Sequence, residues 1–251
     1  MKILLLLALS FSALAADDDF KVVEDKLMAA LKSDIRSEKE GERDRNRRPV
    51  STLKFLGLRD DMKVVELIPG GGWYTKLLAP VLKENGELFL AYGAGRVADS
   101  LLKDNKDFDH VSVVAPDAKL YRKEGARFYS LENADLDLKK VDMVLTFRNY
   151  HNFAEDGRKA MNDAAYDALK VGGIYGVVDH TRRHMQGENP ENRRRFDPVL
   201  AIKEIQEAGF ILVDFSDLHY KLDDELLYEV GRKSVSGNTD RFTLKFKKVK
   251  K

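Results

Sequence analysis

The segment Val64–Thr75, which reads VVELIPGGGWYT, constrains the fold of this chain more than any other. A short apolar run that contains Glu66 leads into the consecutive glycines Gly70, Gly71 and Gly72, after which a helix-like pattern begins. A strand followed by a glycine turn and a helix gathers bare backbone N–H groups and the positive end of a helix dipole at one point. Side chains at these glycines would keep a ligand off the backbone. The segment therefore predicts the turn at which a doubly wound α/β protein holds a nucleotide-like cofactor.

The first 16 residues, MKILLLLALSFSALAA, have the layout of a cleaved secretory signal peptide. One basic residue precedes an apolar stretch that ends in small residues, with Ala13 and Ala15 at A-x-A spacing. The stretch is too short for a membrane span, although a buried N-terminal helix is an alternative. We expect a periplasmic or secreted protein with no stable membrane insertion after cleavage of the signal.

The charge and cysteine content narrow the function classes. Of the 43 Lys and Arg residues one is Lys2, so residues 17–251 carry 42 basic and 42 acidic residues. This balance does not indicate a nucleic-acid or anionic-membrane partner. The chain has no cysteine, which excludes disulfides, thiolate metal sites and a thiol nucleophile.

Hydrophobic periodicity predicts alternating helices and strands along the chain. The predicted helices are Phe20–Lys32, Val50–Leu58, Thr75–Lys83, one within Gly93–Asp109, Gly157–Leu169 (ended by Gly172 and Gly173) and Pro198–Ala208. The predicted strands are Val64–Ile68, Glu87–Tyr92, either Val111–Val114 or Ala126–Tyr129, Val141–Phe147, Ile174–Asp179, Phe210–Phe215 and Arg241–Lys248.

Three parts follow from this pattern: a signal peptide at 1–16, a helical and charged extension at 17–49, and an α/β domain at 50–251. Within the extension, the charge-dense stretch Ser33–Arg48 favours a solvated helix face or a linker. The last strand alternates, with Phe242, Leu244 and Phe246 on its inward face. Such alternation is typical of an antiparallel strand that is half exposed to water.

The chain resembles the class I S-adenosylmethionine-dependent methyltransferases, and most closely a group of predicted exported bacterial methyltransferases. The matching pieces are LKFLGLRDDMKVVELIPGGGWYTKLLAPVL, LTFRNYHNF, LKVGGIYGVVDH, IKEIQEAGFILV and GNTDRFTLKFKK. The resemblance implies a Rossmann-like, doubly wound seven-stranded sheet with an antiparallel last strand, preceded by N-terminal helices. It also implies S-adenosylmethionine bound over the carboxyl edge of the sheet. The acceptor would be a small molecule or a component of the cell envelope.

The resemblance suggests which residues face the cofactor. Glu66 matches the acidic residue at the end of the first strand, and two of the three loop glycines match, whereas Ile68 replaces the first one. Tyr92 stands where many relatives carry an acidic residue for the ribose hydroxyls, and Glu132 or Asn133 lies near the adenine position. Trp73 either stacks on the cofactor or packs beneath the loop. The candidate cofactor residues are Glu66, Pro69, Gly70, Gly71, Gly72, Trp73 and Tyr92.

The candidate catalytic residues are Asn149, His151 and His180. The segment Asn149–His151 follows the fourth strand, where such enzymes place acceptor-side residues. Methyl transfer to oxygen or nitrogen usually needs a proton removed, so His151 is the first candidate for a general base. It is equally well explained as a hydrogen-bonded loop residue, and a packing role is favoured for His180.

Other polar residues beyond the fifth strand are weaker candidates. His184 and Arg193–Arg195 could line an acceptor pocket, but an exposed charged loop is the better interpretation. The spacing of His180 and His184 does not predict a metal site, because no helix is evident there.

Two other function classes remain open. A binding domain could keep this fold after losing use of the methyl donor, which Ile68 and Tyr92 favour. A nicotinamide-dependent oxidoreductase is the least supported class, because its loop would need a glycine where Thr75 stands. Neither a G-K-[ST] phosphate loop nor a G-x-S-x-G nucleophile turn occurs, so kinase and hydrolase activities lack support.

Overall fold

The structure is a computed structural model that describes residues 20–103 and 105–250. The predicted signal peptide lies outside the described residues. The helices are α1 (residues 20–31), α2 (Glu38–Gly41), α3 (Asp44–Arg47), α4 (Pro49–Leu56), α5 (Thr75–Leu82), α6 (Gly95–Val97), α7 (Glu155–Ala168) and α8 (Pro198–Glu207). The strands are β1 (Lys63–Leu67), β2 (Glu87–Ala91), β3 (Val111–Val114), β4 (Lys119–Tyr121), β5 (Ser130–Glu132), β6 (Val141–Phe147), β7 (Leu169–His180), β8 (Phe210–Ser216) and β9 (Arg241–Lys248).

Seven strands form one sheet in the order β3-β2-β1-β6-β7-β9-β8. The pairs from β3 to β7 are all parallel, whereas β9 runs antiparallel to both of its neighbours, β7 and β8. The predicted Rossmann-like sheet with an antiparallel last strand is therefore confirmed, and the N-terminal helix is present. The carboxyl ends of β1, β6 and β7 meet at one edge of the sheet, where ligands bind in such folds.

Helices cover both faces of the sheet. Successive residues of β1 point to opposite faces, so Val64 packs with α1, α4 and α5, and Val65 packs with α7 and α8. Burial on both faces explains why β1 and β6 read as nearly continuous apolar runs. Within the described residues, no helix is long and apolar enough to cross a membrane.

Two details of the middle of the chain differ from the sequence analysis. Val111–Val114 is the third strand of the sheet, whereas Ala126–Tyr129 leads into β5, which pairs with β4 outside the main sheet. Helix α7 ends at Ala168, before the glycine pair, because Leu169 already has an extended backbone. Gly172, with φ +85°, lies where the register between β6 and β7 shifts.

Most of the charged stretch before α4 is exposed, as expected for a solvated helix face or a linker, but two of its arginines are not. Its residues Arg36 and Arg47 are buried, and the indole Nε1 of Trp73 donates a hydrogen bond to the carbonyl of Glu40 at 3.1 Å. The outward face of β9 is covered in part as well, since Arg241 and Thr243 are buried. The expectation that β9 is half exposed is therefore wrong for the first half of the strand.

Candidate active site

A cavity of about 1260 Å³ lies over the carboxyl ends of β1, β6 and β7. The segment 39–47, which includes α3, forms one side of it, and the turn after β1 forms another. The first residue of β9 also lines the cavity, because β9 runs antiparallel and begins at this edge of the sheet. The topology therefore brings residues from the whole length of the domain to one opening.

The glycine turn after β1 is open towards ligands. A Cβ added at Gly70 or Gly71 would meet no atom within 4 Å, and both residues line the cavity. Their backbone N–H groups donate to no group within the described residues. Gly72 differs: its N–H closes the turn onto Pro69, and an added Cβ would lie 3.2 Å from Leu101. Gly70 and Gly71 thus face the cavity, whereas Gly72 closes the turn and packs closely against Leu101.

Glu66 places a carboxyl group beside this turn. The side chain is buried, lines the cavity and accepts a hydrogen bond from the hydroxyl of Thr75 at 2.6 Å. Burial raises the pKa of the Glu66 carboxyl to about 7, although Thr75 and the nearby Arg47 act in the opposite direction. Glu66 can therefore both accept and donate hydrogen bonds near neutral pH.

Tyr92 does not line the cavity. Its ring is buried in the core, its hydroxyl donates to the carbonyl of Ala134, and burial raises its pKa. Glu132 and Asn133 also lie outside the cavity, and Glu132 accepts a surface hydrogen bond from the Tyr121 hydroxyl. The cavity-lining members of the predicted cofactor group are therefore Glu66, Pro69, Gly70, Gly71 and Trp73.

Trp73 connects the glycine turn to the N-terminal segment. The guanidinium of Arg47 lies 4.2 Å from the centre of its ring, and that of Arg36 lies at 5.2 Å. These contacts, with the bond to the Glu40 carbonyl, hold the segment 39–47 over the turn. Trp73 therefore packs at the turn and lines the cavity at the same time.

His151 is held by one buried carboxylate, that of Asp179. The backbone N–H of His151 donates to Oδ2 of Asp179 at 2.9 Å, and its Nδ1 lies 2.6 Å from Oδ1. The backbone N–H of His180 donates to the same Oδ1 at 2.7 Å. An ionised carboxylate can only accept hydrogen bonds, so the ring nitrogen that bonds to Oδ1 of Asp179 must be an N–H. Nδ1 of His151 therefore carries the proton, and Nε2 is left as an acceptor. His151 lines the cavity, so it has the tautomer of a general base.

Asn149 links the glycine turn to the end of β6, the strand that precedes His151. Its amide donates to the carbonyl of Ile68 in the glycine turn and to that of Phe147 at the end of β6, both at 3.1 Å. Asn149 also lines the cavity. The distance between the turn and the His151 segment is therefore set in part by this side chain.

His180 lines the cavity next to His151, with 5.8 Å between the ring centres. Its Nδ1 bonds to the hydroxyl of Thr239 at 2.9 Å. Burial is the main cause that lowers the pKa of His180 well below its usual value, and Arg241 adds to it. His180 is therefore neutral at physiological pH.

The remaining sequence candidates divide between the cavity and other places. His184 bonds to Asp197 away from the cavity, and Arg195 forms a buried ion pair with Asp224 at 2.9 Å. Arg194 lines the cavity and is paired with Glu229. Tyr150 donates to Glu204 in the core.

Several residues of the site were missed by the sequence analysis. Asp179 is the last but one residue of β7 and is buried behind the cavity wall; the sequence shows an acidic residue near a strand end but not that it bonds to His151. Tyr74 stacks on Phe147 with 3.6 Å between the ring centres, and burial raises its pKa to about 12. Arg148 follows β6 and Arg241 begins β9; both lie in segments that resemble the family, but the sequence assigned no role to either side chain. Among the described residues, no group of three His, Asp or Glu side chains is arranged to hold a metal ion.

Comparison with known proteins identifies the fold. No protein-family model matches the chain, and no curated protein matches it by sequence. Among solved structures, a SAM-dependent methyltransferase from Aquifex aeolicus superposes with a TM-score of 0.55 at 15% identity, over 82% of this chain and 92% of that one. The [4+2]-cyclase SpnF gives 0.55 at 13% identity, over 87% and 85%. A complex of the Trm112 methyltransferase activator with the putative methyltransferase from Haloferax volcanii gives 0.54 at 14% identity, over 91% and 98%. At these identities the similarity establishes a methyltransferase-like Rossmann fold.

Proposed function

We propose that this protein is an S-adenosylmethionine-dependent methyltransferase in which His151 removes a proton from the methyl acceptor. One observation carries the proposal: an open glycine turn and His151, which is bonded to the buried Asp179, line the same cavity. Asn149 holds the two together through its bond to Ile68. A site for a cofactor and a base for an acceptor are therefore adjacent.

The residues of the turn fit this cofactor. The space above Gly70 and Gly71 is open, and their free N–H groups can donate to a polar ligand. Glu66 offers a carboxyl group for hydroxyl or amino groups, and Trp73 offers an aromatic wall. When bound, S-adenosylmethionine supplies a methyl group on a sulfonium sulfur.

In the proposed reaction, His151 and Asp179 remove the proton from the methyl acceptor. Nε2 of His151 takes the proton of an acceptor O–H or N–H, and the carboxylate of Asp179 stabilises the imidazolium that forms. The burial of Asp179 keeps water away from the bond between its carboxylate and Nδ1 of His151. The residues thus position an acceptor and remove one proton from it.

Calorimetric titration of residues 17–251 with S-adenosylmethionine and S-adenosylhomocysteine tests the cofactor. We expect micromolar binding of both. A folded sample that binds neither would contradict the proposal. Transfer of a labelled methyl group to candidate acceptors then tests the reaction itself.

A second candidate is a binding protein that no longer uses a methyl donor. The position of Tyr92 favours it, because this side chain points into the core where an acidic residue would hold the ribose. The fold alone does not decide, since SpnF is named a cyclase. Cofactor binding with no labelled product from any acceptor would favour this candidate.

We also propose that the protein is exported through the signal peptide at 1–16. The support is the pattern of a basic residue, an apolar stretch and small residues before Asp17. The test is N-terminal sequencing of the chain recovered from an envelope fraction. We expect a start close to Asp17, and replacement of Ala13 and Ala15 by Leu should preserve the uncleaved chain. An intact N-terminus in the cytoplasmic fraction would contradict export.

A further inference from the structure

Three arginine side chains converge on the cavity beside the His–Asp pair. We call Arg47, Arg148 and Arg241 the arginine cluster. Arg47 ends α3, Arg148 follows β6, and Arg241 begins β9. Arg47 and Arg241 are only 6% and 7% exposed, and Arg148 is partly buried with its Nε covered. Guanidinium groups are rarely this buried without a partner.

Within the described residues, the arginine cluster has almost no hydrogen-bond partners. The guanidinium of Arg47 contacts the Trp73 ring and makes no hydrogen bond or ion pair. That of Arg148 makes none either, and its buried Nε is unpartnered. Arg241 donates from Nη1 to the carbonyl of Asn46 at 2.6 Å, while its Nε is unpartnered.

The acidic groups near the arginine cluster are already engaged. Asp179 accepts bonds from His151 and His180, and Asp240 accepts from the backbone of Lys221. Glu66, near Arg47, accepts from the hydroxyl of Thr75. Burial and the mutual repulsion of the three cations lower the pKa of Arg47 to about 9 and that of Arg241 to about 10. All three are still charged at neutral pH. The positive charge that faces the cavity is therefore compensated only in part.

The position of the arginine cluster points to the acceptor side of the site. Arg241 pairs in register with His180 across β7 and β9, and Arg148 directly follows the strand that leads to His151. The glycine turn, in contrast, follows β1. A ligand held by Arg148 and Arg241 would thus lie beside the general base, whereas Arg47, which contacts Trp73, lies next to the glycine turn.

We propose that the arginine cluster binds an oxyanion, a carboxylate or phosphate group, of the molecule that is methylated. The inference rests on the proposed function, because it names the substrate class of the same site. A planar guanidinium forms two parallel bonds with either oxyanion, which orients the ligand as well as attracting it. The Tyr74 hydroxyl beside the three arginines stays protonated, since burial raises its pKa to about 12.

The test is calorimetric titration of residues 17–251 with inorganic phosphate, with acetate and, separately, with S-adenosylhomocysteine. Arg148→Gln is the main variant, because its side chain makes no hydrogen bond that the fold needs. Arg241→Gln is the second variant, and exposed Arg193→Gln, outside the cavity, is the matched control for charge. Thermal melting of each variant checks the fold.

We expect phosphate or acetate to bind at least about tenfold more weakly to Arg148→Gln and Arg241→Gln, since a charge-assisted hydrogen bond is lost. The affinity for S-adenosylhomocysteine should be the same in all variants, and Arg193→Gln should behave as wild type. Oxyanion binding that is absent, or that survives both cavity variants, overturns the inference. A parallel loss of S-adenosylhomocysteine affinity also overturns it, since the arginines would then hold the cofactor's own carboxylate. If oxyanions bind in an arginine-dependent way but S-adenosylhomocysteine does not bind at all, the proposed methyltransferase function is contradicted, whereas the oxyanion site is supported.

Discussion

Asp179 holds the backbone and the ring of His151 at once, through Oδ2 to the N–H at 2.9 Å and through Oδ1 to Nδ1 at 2.6 Å. Two bonds from one rigid carboxylate fix the direction in which the imidazole points. They also fix its tautomer, so that Nε2 is the free acceptor. Because Asp179 lies on β7 and His151 lies beyond β6, the geometry of the base depends on the pairing of these two strands.

Replacing Asp179 with Asn should separate catalysis from binding. The amide would offer an N–H to Nδ1 of His151, which favours the wrong tautomer and leaves no acceptor at Nε2. We expect kcat for methyl transfer to fall about 100-fold or more, as for loss of a general base. The Kd for S-adenosylhomocysteine should stay within about twofold of wild type, because an interaction used only during the reaction has been removed. Steady-state kinetics and calorimetry measure the two quantities.

The chain contains a matched control for this change. His184 bonds to Asp197 at 2.9 Å in a second His–Asp pair, which is outside the cavity and partly exposed. His184→Ala should leave kcat unchanged, whereas His151→Ala should reproduce the loss in Asp179→Asn. Equal turnover in His151→Ala and wild type would remove His151 from the reaction.

The glycine turn can be tested without disturbing the fold. Gly71 has no positive φ, and an added Cβ would meet no atom, so Gly71→Val places two methyl groups in the cavity alone. We expect binding of S-adenosylhomocysteine to be lost while the melting temperature stays within about 2 °C of wild type. Gly187→Val is the control, because it is equally open and lies away from the cavity. Retained binding in Gly71→Val would show that the turn does not hold the cofactor.

The positions of most strands along the chain could be predicted because local patterns mark them. The runs Val141–Phe147 and Arg241–Lys248 were assigned with the bounds that the structure has, since strands buried on two faces and strands that alternate have distinct sequences. The third strand could not be decided, because VSVV and the segment before β5 have similar apolar content. Only pairing with β2, a long-range contact, separates them.

The candidate site was predictable only where a motif marks it. Gly70, Gly71 and His151 lie in recognisable segments and all line the cavity. Arg47 and Arg241 are far apart in the chain but line the same cavity. They meet because β9 runs antiparallel, so that it begins with Arg241 at this edge of the sheet, and because the charged N-terminal segment packs onto Arg241 through the carbonyl of Asn46. Charge-dense sequence usually indicates a solvated surface, so burial of these arginines had no local signal.

Glu66 should make the stability of the protein depend on pH. Its carboxyl has a raised pKa of about 7 in the folded protein because of burial, whereas in the unfolded chain it titrates near 4.5. Between these values the folded state keeps a proton that the unfolded state releases, so stability is full below about pH 4.5 and falls as the pH rises to about 7. The loss above pH 7 is about 3 kcal/mol.

The variant Glu66→Gln isolates this effect. It can still accept the Thr75 hydroxyl but does not titrate, so it should be more stable than wild type at pH 8 and no more stable at pH 4.5. Urea unfolding at both pH values measures the difference, and the half-exposed Glu87→Gln is the control. A constant difference between Glu66→Gln and wild type at the two pH values would contradict the raised pKa.

His219 should act in the opposite direction, at lower pH. Its Nε2 donates to the carbonyl of Arg47 at 2.9 Å, and its Nδ1 accepts from the hydroxyl of Thr243 at 2.6 Å. Burial is the main cause that lowers the pKa of His219 to about 4, with Arg241 and Arg48 adding to it. The unfolded chain therefore binds this proton first, and the stability present above about pH 6.5 falls by about 3 kcal/mol as the pH drops to 4.

Replacing His219 with Gln tests whether this ring fastens the N-terminal segment to β9. An amide can donate to the Arg47 carbonyl and accept from Thr243 without titrating. We expect His219→Gln to lose less stability than wild type in urea unfolding between pH 7 and pH 4.5. Since Arg47 belongs to the arginine cluster, the protection of amides in residues 36–48 against hydrogen exchange, taken relative to the intrinsic rate at each pH, should also fall on acidification in wild type and not in His219→Gln. Equal acid sensitivity in the two proteins would mean that His219 does not hold this segment in place.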